Sequence, residues 1–278
     1  MQSKAQIDQS LRTKCETKDI PGVVAMAATG SEVIYQGAFG KRDLGKDDPM
    51  TVDSVFWIAS MTKAITCAAG MQLVEQGKLS LDEPIGKVLP DLASPQVLEG
   101  FDASGNPKLR PAKKPITLRH LMTHTAGFAY DMWNGDIGKY LEKTGTPGII
   151  SCQNAALKTP IMTDPGTRWE YGTNIDFVGK AVEAVSGKKL DAYLRDNLLT
   201  PLGMNDTGFK ITDSMRQRLV GIALGCKAGA HPQPGLVHLQ AKKTHGALAC
   251  QHGAGEGRGV TALRASRVGV KNGCSARQ

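Results

Sequence analysis

Apolar positions follow clear periods along the first 220 residues of this chain, and the periods stop soon after. Residues 3–18 have helix-forming composition, and Pro21-Gly22 closes that segment before the apolar run VVAMAA, which reads as a strand. Gly30-Ser31 then turns the chain into EVIYQGAF, so the two runs predict a β-hairpin. Asp53 to Ile58 leads into a predicted helix within the stretch 56–77, FWIASMTKAITCAAGMQLVEQG, that carries Ser60, ends at Gly77 and is buried on most sides, because Lys63 is the one charged residue from Ser60 to Val74. The segment LSLDEPIGKVLPDL predicts turns and short helix around Pro84 and Pro90, and residues 102–115, DASGNPKLRPAKKP, a solvated polar loop. Thr117 to Thr123 predicts a short helix. Apolar Ile175, Phe177, Val178, Ala181, Val182 and Val185 predict a longer one over 174–186, with Gly187 as its C-cap. Further helices are predicted over 190–199, before Pro201 and Gly203, and over 211–220.

Composition divides the chain at the same place. Phe209 is the last of fourteen aromatic residues, whereas four of the six histidines and eleven glycines lie in the last 58 positions. Residues 1–220 therefore read as one folded domain, and residues 221–278 as a basic Gly/Ala-rich tail, poorly ordered because it cannot bury enough apolar surface to offset its ordering entropy. The tail also resembles a GC-rich coding sequence read out of frame; restored periodicity in another reading frame is the expected sign of that.

The formal charge of +8 changes little once it is mapped. Eight Lys/Arg and one acid fall in 221–278, which leaves the first 220 residues close to neutral, with 26 basic against 25 acidic residues. No nucleic-acid partner is expected. The longest weakly polar run, Ala64 to Val74, is too short to span a bilayer and contains Gln72, and the N-terminal MQSKAQIDQSLRTK has no apolar signal core. These features predict a soluble cytoplasmic protein without membrane contact, whose six cysteines are free thiols.

Candidate chemistry begins at Ser60 and Lys63. Three residues apart on a helix, they share one face, and burial of an amine favours its neutral form, which can take a proton from a hydroxyl. Ser60 is then an activated nucleophile. His120 and His124, at i and i+4, raise the possibility of a metal, but the chain offers neither the intervening Glu of a metalloprotease helix nor an evident third ligand. No metal and no cofactor is expected. Acyl transfer by a serine–lysine pair also needs a group that returns a proton to the departing atom, and PGTRWEYGTN at 165–174 offers Tyr171.

Four ordered segments carry a family resemblance: SMTK at 60–63 within FWIASMTKAIT and LVEQGKLSLDEPIGKVLP, ITLRHLMTHTAGF at 116–128, PGTRWEYGTN at 165–174 and PLGMNDTGF at 201–209. Together they resemble the serine β-lactamase and penicillin-binding superfamily, above all family VIII carboxylesterases and their class C β-lactamase relatives. The resemblance covers roughly residues 5–215. It implies an α/β (α+β) fold with an antiparallel sheet flanked by helices, a mainly helical lobe over about 80–180, and C-terminal strands whose place is taken here by the anomalous tail. It further implies that Ser60 is the acylated nucleophile, Lys63 its activator and Tyr171 the proton shuttle, with Trp169, Thr173 and Asn174 beside the substrate. The implied substrate is a small carboxylic ester. Thr173 stands where class C β-lactamases resemble Tyr-x-Asn, which leans away from β-lactam hydrolysis. Amide or β-lactam cleavage and a non-catalytic truncated remnant are the rival readings. A third motif is echoed by Lys243-Thr244-His245-Gly246 and by His252-Gly253-Ala254-Gly255.

Overall fold

The computed structural model describes residues 3–222. Within them the chain opens with α1 (Lys4–Glu16), started by a reciprocal cap in which Ser3 Oγ accepts from the Gln6 N–H and the Gln6 side chain accepts from the Ser3 N–H. β1 (Gly22–Ala28) and β2 (Val33–Gly40) form the hairpin that the apolar runs predict, antiparallel, with Gly22 opposite Gly40 and Ala28 opposite Val33. Helix α1 lies on this hairpin. Tyr35 Oη donates to Asp8 Oδ1 at 2.7 Å, and the Arg12 guanidinium sits 5.1 Å from the centre of the Phe39 ring.

The central element is α2 (Thr62–Glu75). Its buried residues are Thr62, Lys63, Thr66, Ala69, Gly70 and Leu73, a single face, while Ala64, Ala68 and Met71 remain exposed. Burial is therefore narrower than the apolar sequence predicts. The reason is that α3 (Leu118–Met122), α5 (Asn174–Ser186) and α6 (Leu190–Leu194) pack as one group against one side of it. Gly70 lets α2 and α5 approach, since a Cβ there would lie 3.1 Å from Val178 Cγ1 and 2.5 Å from Met122 Cε. The main core joins Ala69 and Leu73 of α2 to Leu118 and Leu121 of α3, Ile175, Val178 and Val182 of α5, and Phe128 and Ile161 from the loops. Each Leu, Ile, Val or Phe side chain among them contributes about 1.5–3 kcal/mol on burial.

The segment from 96 to 111 departs from expectation. It forms a second antiparallel pair, β3 (Gln96–Phe101) with β4 (Pro107–Pro111), so the lobe predicted as mainly helical also holds strands. Its turn is organised by Asp102, which accepts from the Ser104 and Asn106 N–H groups. The two prolines of β4 sit at its ends, where a missing N–H costs least, and they hid the strand from the sequence reading. β3 also pairs with Ile161, through Leu98 N–H to Ile161 C=O and Ile161 N–H to Gln96 C=O.

Helix α4 (Gly135–Thr144) is capped by Asn134, and α5 ends as predicted on Gly187, at φ +67°. After α6 the helix widens into a π turn over Arg195–Leu199. The last predicted helix is shorter than expected: α7 spans Asp213–Gln217, and the chain then extends, with Val55 N–H donating to Arg218 C=O and Val220 N–H to Val55 C=O. Arg218 clamps this junction by donating to the Asp53 carbonyl and to Asp206 Oδ2. Thus residues 215–220 support the strand-like approach to Ser60. Of the tail, residues 223–278, with both echoes of a third motif, lie outside the described residues.

Candidate active site

Ser60 sits in a 3-10 turn, Ala59–Met61, that feeds directly into α2. Ala59 is held at φ +39°, a left-handed backbone that a residue with a Cβ adopts reluctantly and that turns the next side chain outward. Ser60 is exposed, whereas Lys63, one turn on, is only 8% exposed. The Lys63 ammonium donates to Ser60 Oγ at 3.4 Å and lies 5.1 Å and 5.7 Å from the centres of the Tyr171 and Tyr130 rings. Tyr171, 111 positions further along the chain, donates its hydroxyl hydrogen to Ser60 Oγ at 2.8 Å.

Tyr171 is placed by a backbone seam between two loops. Met162 N–H donates to Gly127 C=O, Gly166 N–H to Thr125 C=O and Glu170 N–H to His124 C=O, so residues 162–170 run alongside 124–127. Gly172 closes the seam, because a Cβ there would press on the Phe128 carbonyl and the Ala129 backbone. Asn174, fully buried at the start of α5, donates to Phe128 C=O and Glu170 C=O and meets His124 Nδ1 at 3.1 Å. The hairpin β3–β4 braces the same segment from outside: Arg110 makes a paired contact with both Asp164 oxygens at 3.0 and 2.9 Å. That guanidinium and the Lys113 N–H hold the Asp164 carboxyl down at about 2.

Aromatic rings surround the Tyr171 phenol. His124 packs 4.8 Å from it, Trp133 5.3 Å, Tyr130 5.5 Å and Trp169 6.1 Å, centre to centre. Burial, and next the charge of Lys63, lowers the His124 imidazole to about 4, so this ring is neutral near pH 7. Burial and the nearby Asp176 raise the Tyr130 phenol above its ordinary range, so that it stays protonated. The arrangement brings a serine oxygen, an ammonium and a phenol together, which can move one proton among three atoms while the serine oxygen attacks carbon.

Residues 7–265 match the Beta-lactamase family. The chain belongs to that family. Among its relatives, the acyltransferase mokF of Monascus pilosus is 39% identical over 214 residues, which are 74% of this chain and 52% of that protein. Lovastatin esterase of Penicillium rubens is 34% identical over 78% of this chain and 56% of its own length, and esterase EstB of Burkholderia gladioli 32% identical over 74% and 50%. The chain thus spans about half the length of the curated relatives it matches. Unliganded simvastatin synthase LovD from Aspergillus terreus superposes with a TM-score of 0.70 at 35% identity, covering 79% of this chain and 58% of that one. The fold is accordingly β-lactamase/transpeptidase-like.

Within this fold, Ser60, Lys63 and Tyr171 meet at one point. Trp169 stands beside Tyr171, 63% exposed. Thr173 and Asn174 do not line the cleft: they are 3% and 0% exposed, and Asn174 serves as a staple beneath it. His120 and His124 do not form a pair on one helix face either. His120 Nδ1 accepts the Thr117 N–H at the start of α3, whereas His124 lies beyond the helix at φ +56° and turns toward Asn174. The sequence reading missed His124, Tyr130 and Trp133 as neighbours of Tyr171. Adjacent motif residues were the available signal, but the loop seam that joins them has no period to read.

Proposed function

We propose that the chain is a serine hydrolase that cleaves small carboxylic esters through an acyl-Ser60 intermediate. The carrying observation is that Ser60 Oγ stands 2.8 Å from Tyr171 Oη and 3.4 Å from Lys63 Nζ. In the reacting form, with Lys63 as the free amine, Ser60 Oγ bonds to the ester carbonyl carbon as its proton passes to Lys63; the alcohol oxygen leaves with its bonding pair and takes the phenol proton of Tyr171, which Lys63 then replaces. Water then attacks the acyl carbon, gives its proton to the same network and releases the acid and Ser60. No step calls for a metal or an organic cofactor. One donor for the negative oxygen is the Ser60 backbone N–H. Ester chemistry is favoured over amide or β-lactam cleavage because relatives at 39% and 34% identity are named as an acyltransferase and an esterase. Those names also favour a second reading, transfer of the acyl group to an alcohol in place of water.

The test is hydrolysis of a short-chain chromogenic ester by the purified chain beside Ser60→Ala, with the thermal transition of each recorded. The expected loss in kcat is ~10³-fold or more, with the transition unchanged. Equal turnover by a folded Ser60→Ala variant sinks the proposal, and a folded chain with no Ser60-dependent turnover leaves the remnant reading in its place.

A further inference from the structure

His124 is tied to the chain just before Tyr171, at it and just after it. Its carbonyl accepts the Glu170 N–H at 2.8 Å, its ring packs 4.8 Å from the phenol ring, and its Nδ1 lies 3.1 Å from the amide nitrogen of Asn174. Its backbone, at φ +56°, is one that Asn, Asp and His adopt more readily than most residues. The tautomer follows from Asn174. That amide nitrogen also faces the Phe128 and Glu170 carbonyls, at 3.3 and 3.1 Å, so the NH2 end and not the oxygen points this way, and it can only donate. Nδ1 therefore carries a lone pair, and the proton of the neutral ring sits on Nε2. The groups facing the imidazole are Lys63 on α2, Asn174 and Asp176 on α5, and Trp169 and Tyr171 on the loop before α5. Asp176 favours a charged ring, but burial and Lys63 outweigh it. A second proton would set N–H against NH2 and place two cations side by side.

We propose that His124, as a neutral ring bare at Nδ1, is the positioning residue that aims the Tyr171 hydroxyl, and that it acts on departure of the alcohol rather than on attack by Ser60. The proposal rests on the acyl-Ser60 reading. Of the rings around the phenol, His124 is the nearest, and among the described residues it alone is also hydrogen-bonded to both flanks of Tyr171. The outer rings, Trp133 and Trp169, are 60% and 63% exposed and have little packing of their own with which to fix a neighbour. When the alcohol leaves, its C–O bond breaks, the bonding pair stays on oxygen, and that oxygen takes the phenol proton. His124 exchanges no proton in this step. Its effect is geometric: proton transfer needs the two oxygens within ~2.6–3.2 Å, and a displacement of about 1 Å at a reacting group can cost ~10²-fold. An alkyl alcohol leaves only with that proton, whereas a nitrophenolate leaves without it, so the contribution of His124 depends on the leaving group.

Two measurements test this. The first compares kcat/KM, which reads acylation, for ethyl acetate and 4-nitrophenyl acetate. His124→Asn keeps a residue suited to the left-handed backbone and removes the ring; it should lower kcat/KM about 10-fold for ethyl acetate and less than about 2-fold for the nitrophenyl ester. Added to Tyr171→Phe, it should cost ethyl acetate turnover nothing further, because a residue that acts through the phenol has no effect once the hydroxyl is gone. His124→Gln serves as a second variant with the same expected outcome. Equal losses on both esters, or losses that multiply in the double variant, overturn the proposal and leave the acyl-serine reading standing. Leaving-group dependence in a chain whose turnover survives Ser60→Ala does the reverse: the aiming role holds and the acyl-serine reading falls. The second measurement needs no turnover. Nitrogen NMR of the chain labelled in histidine should show one imidazole, missing in His124→Asn, that is a neutral Nε2–H tautomer at pH 7 and takes a proton only near pH 4, below its ordinary 6.5. A proton on Nδ1, or a cationic ring at pH 6, overturns the proposal.

Discussion

Ser60 gains its chemical interest from its surroundings. A serine hydroxyl is a poor nucleophile in water, and here a phenol and an ammonium converge on it from a loop and from its own helix. The loop side depends on His124, whose ring is packed against Tyr171 and held by Asn174. Its titration has a definite sign. Folding lowers His124 from its ordinary value near 6.5 to about 4, so between those values the unfolded chain binds the extra proton more readily than the folded one. Stability is therefore full above pH 6.5 and falls as pH drops toward 4, by at most ~1.4 kcal/mol per pH unit for one proton. His124→Gln, with no such titration, should show a flatter dependence over that window in denaturant unfolding followed at successive pH values. An identical slope in the two proteins would mean that His124 is not buried beside Lys63 as described. Ser60 and Lys63 were legible because an isolated charge in an apolar helix is a local signal. Tyr171 was not legible by spacing, because a contact across 111 positions has no local trace and came only from motif order.

Elements place these side chains, and two close approaches decide how well. Gly70 sets the distance between α2 and α5, so Gly70→Val would drive a branched side chain against Met122 and Val178. Overpacking of this kind costs ~1–3 kcal/mol, and the expected outcome is a lower denaturation midpoint together with weakened ester turnover. Arg110 and Asp164 tie the β3–β4 hairpin to the chain that leads to Tyr171. Asp164 is held near 2, below its unfolded value near 4, so the pair stabilises the fold above that unfolded value and loses its effect as pH falls toward 2. Arg110→Ala should speed amide exchange at Ile161 and Gly166, which hydrogen-bond across this region, while leaving α1 amides unchanged. Uniform protection in both proteins would count against a bracing role. The helices and the first hairpin could be read from period and caps, because α5 has both a six-residue apolar stripe and Gly187. The β3–β4 pair could not, since its prolines and charges mimic a loop and its pairing with Ile161 joins distant segments.

At the scale of the molecule, the near neutrality of the first 220 residues agrees with a site built from aromatic rings and one buried cation. Among the described residues no helix is long and apolar enough to cross a membrane. The family match reaches residue 265, while alignments to individual relatives cover about three quarters of the chain and about half of each relative. The exposed row of Ala64, Ala68 and Met71 shows why a one-sequence estimate of burial overshot: apolar composition reports what a helix can bury, and the number of neighbouring elements decides what it does bury. The proposed chemistry turns on one covalent bond. Intact-mass measurement after incubation with a fluorophosphonate ester should show a single adduct on the chain, mapped to Ser60, absent from Ser60→Ala and formed at least ~10²-fold more slowly by Tyr171→Phe. A folded chain that takes up no adduct, or takes it up equally with alanine at position 60, would contradict an acyl-Ser60 mechanism.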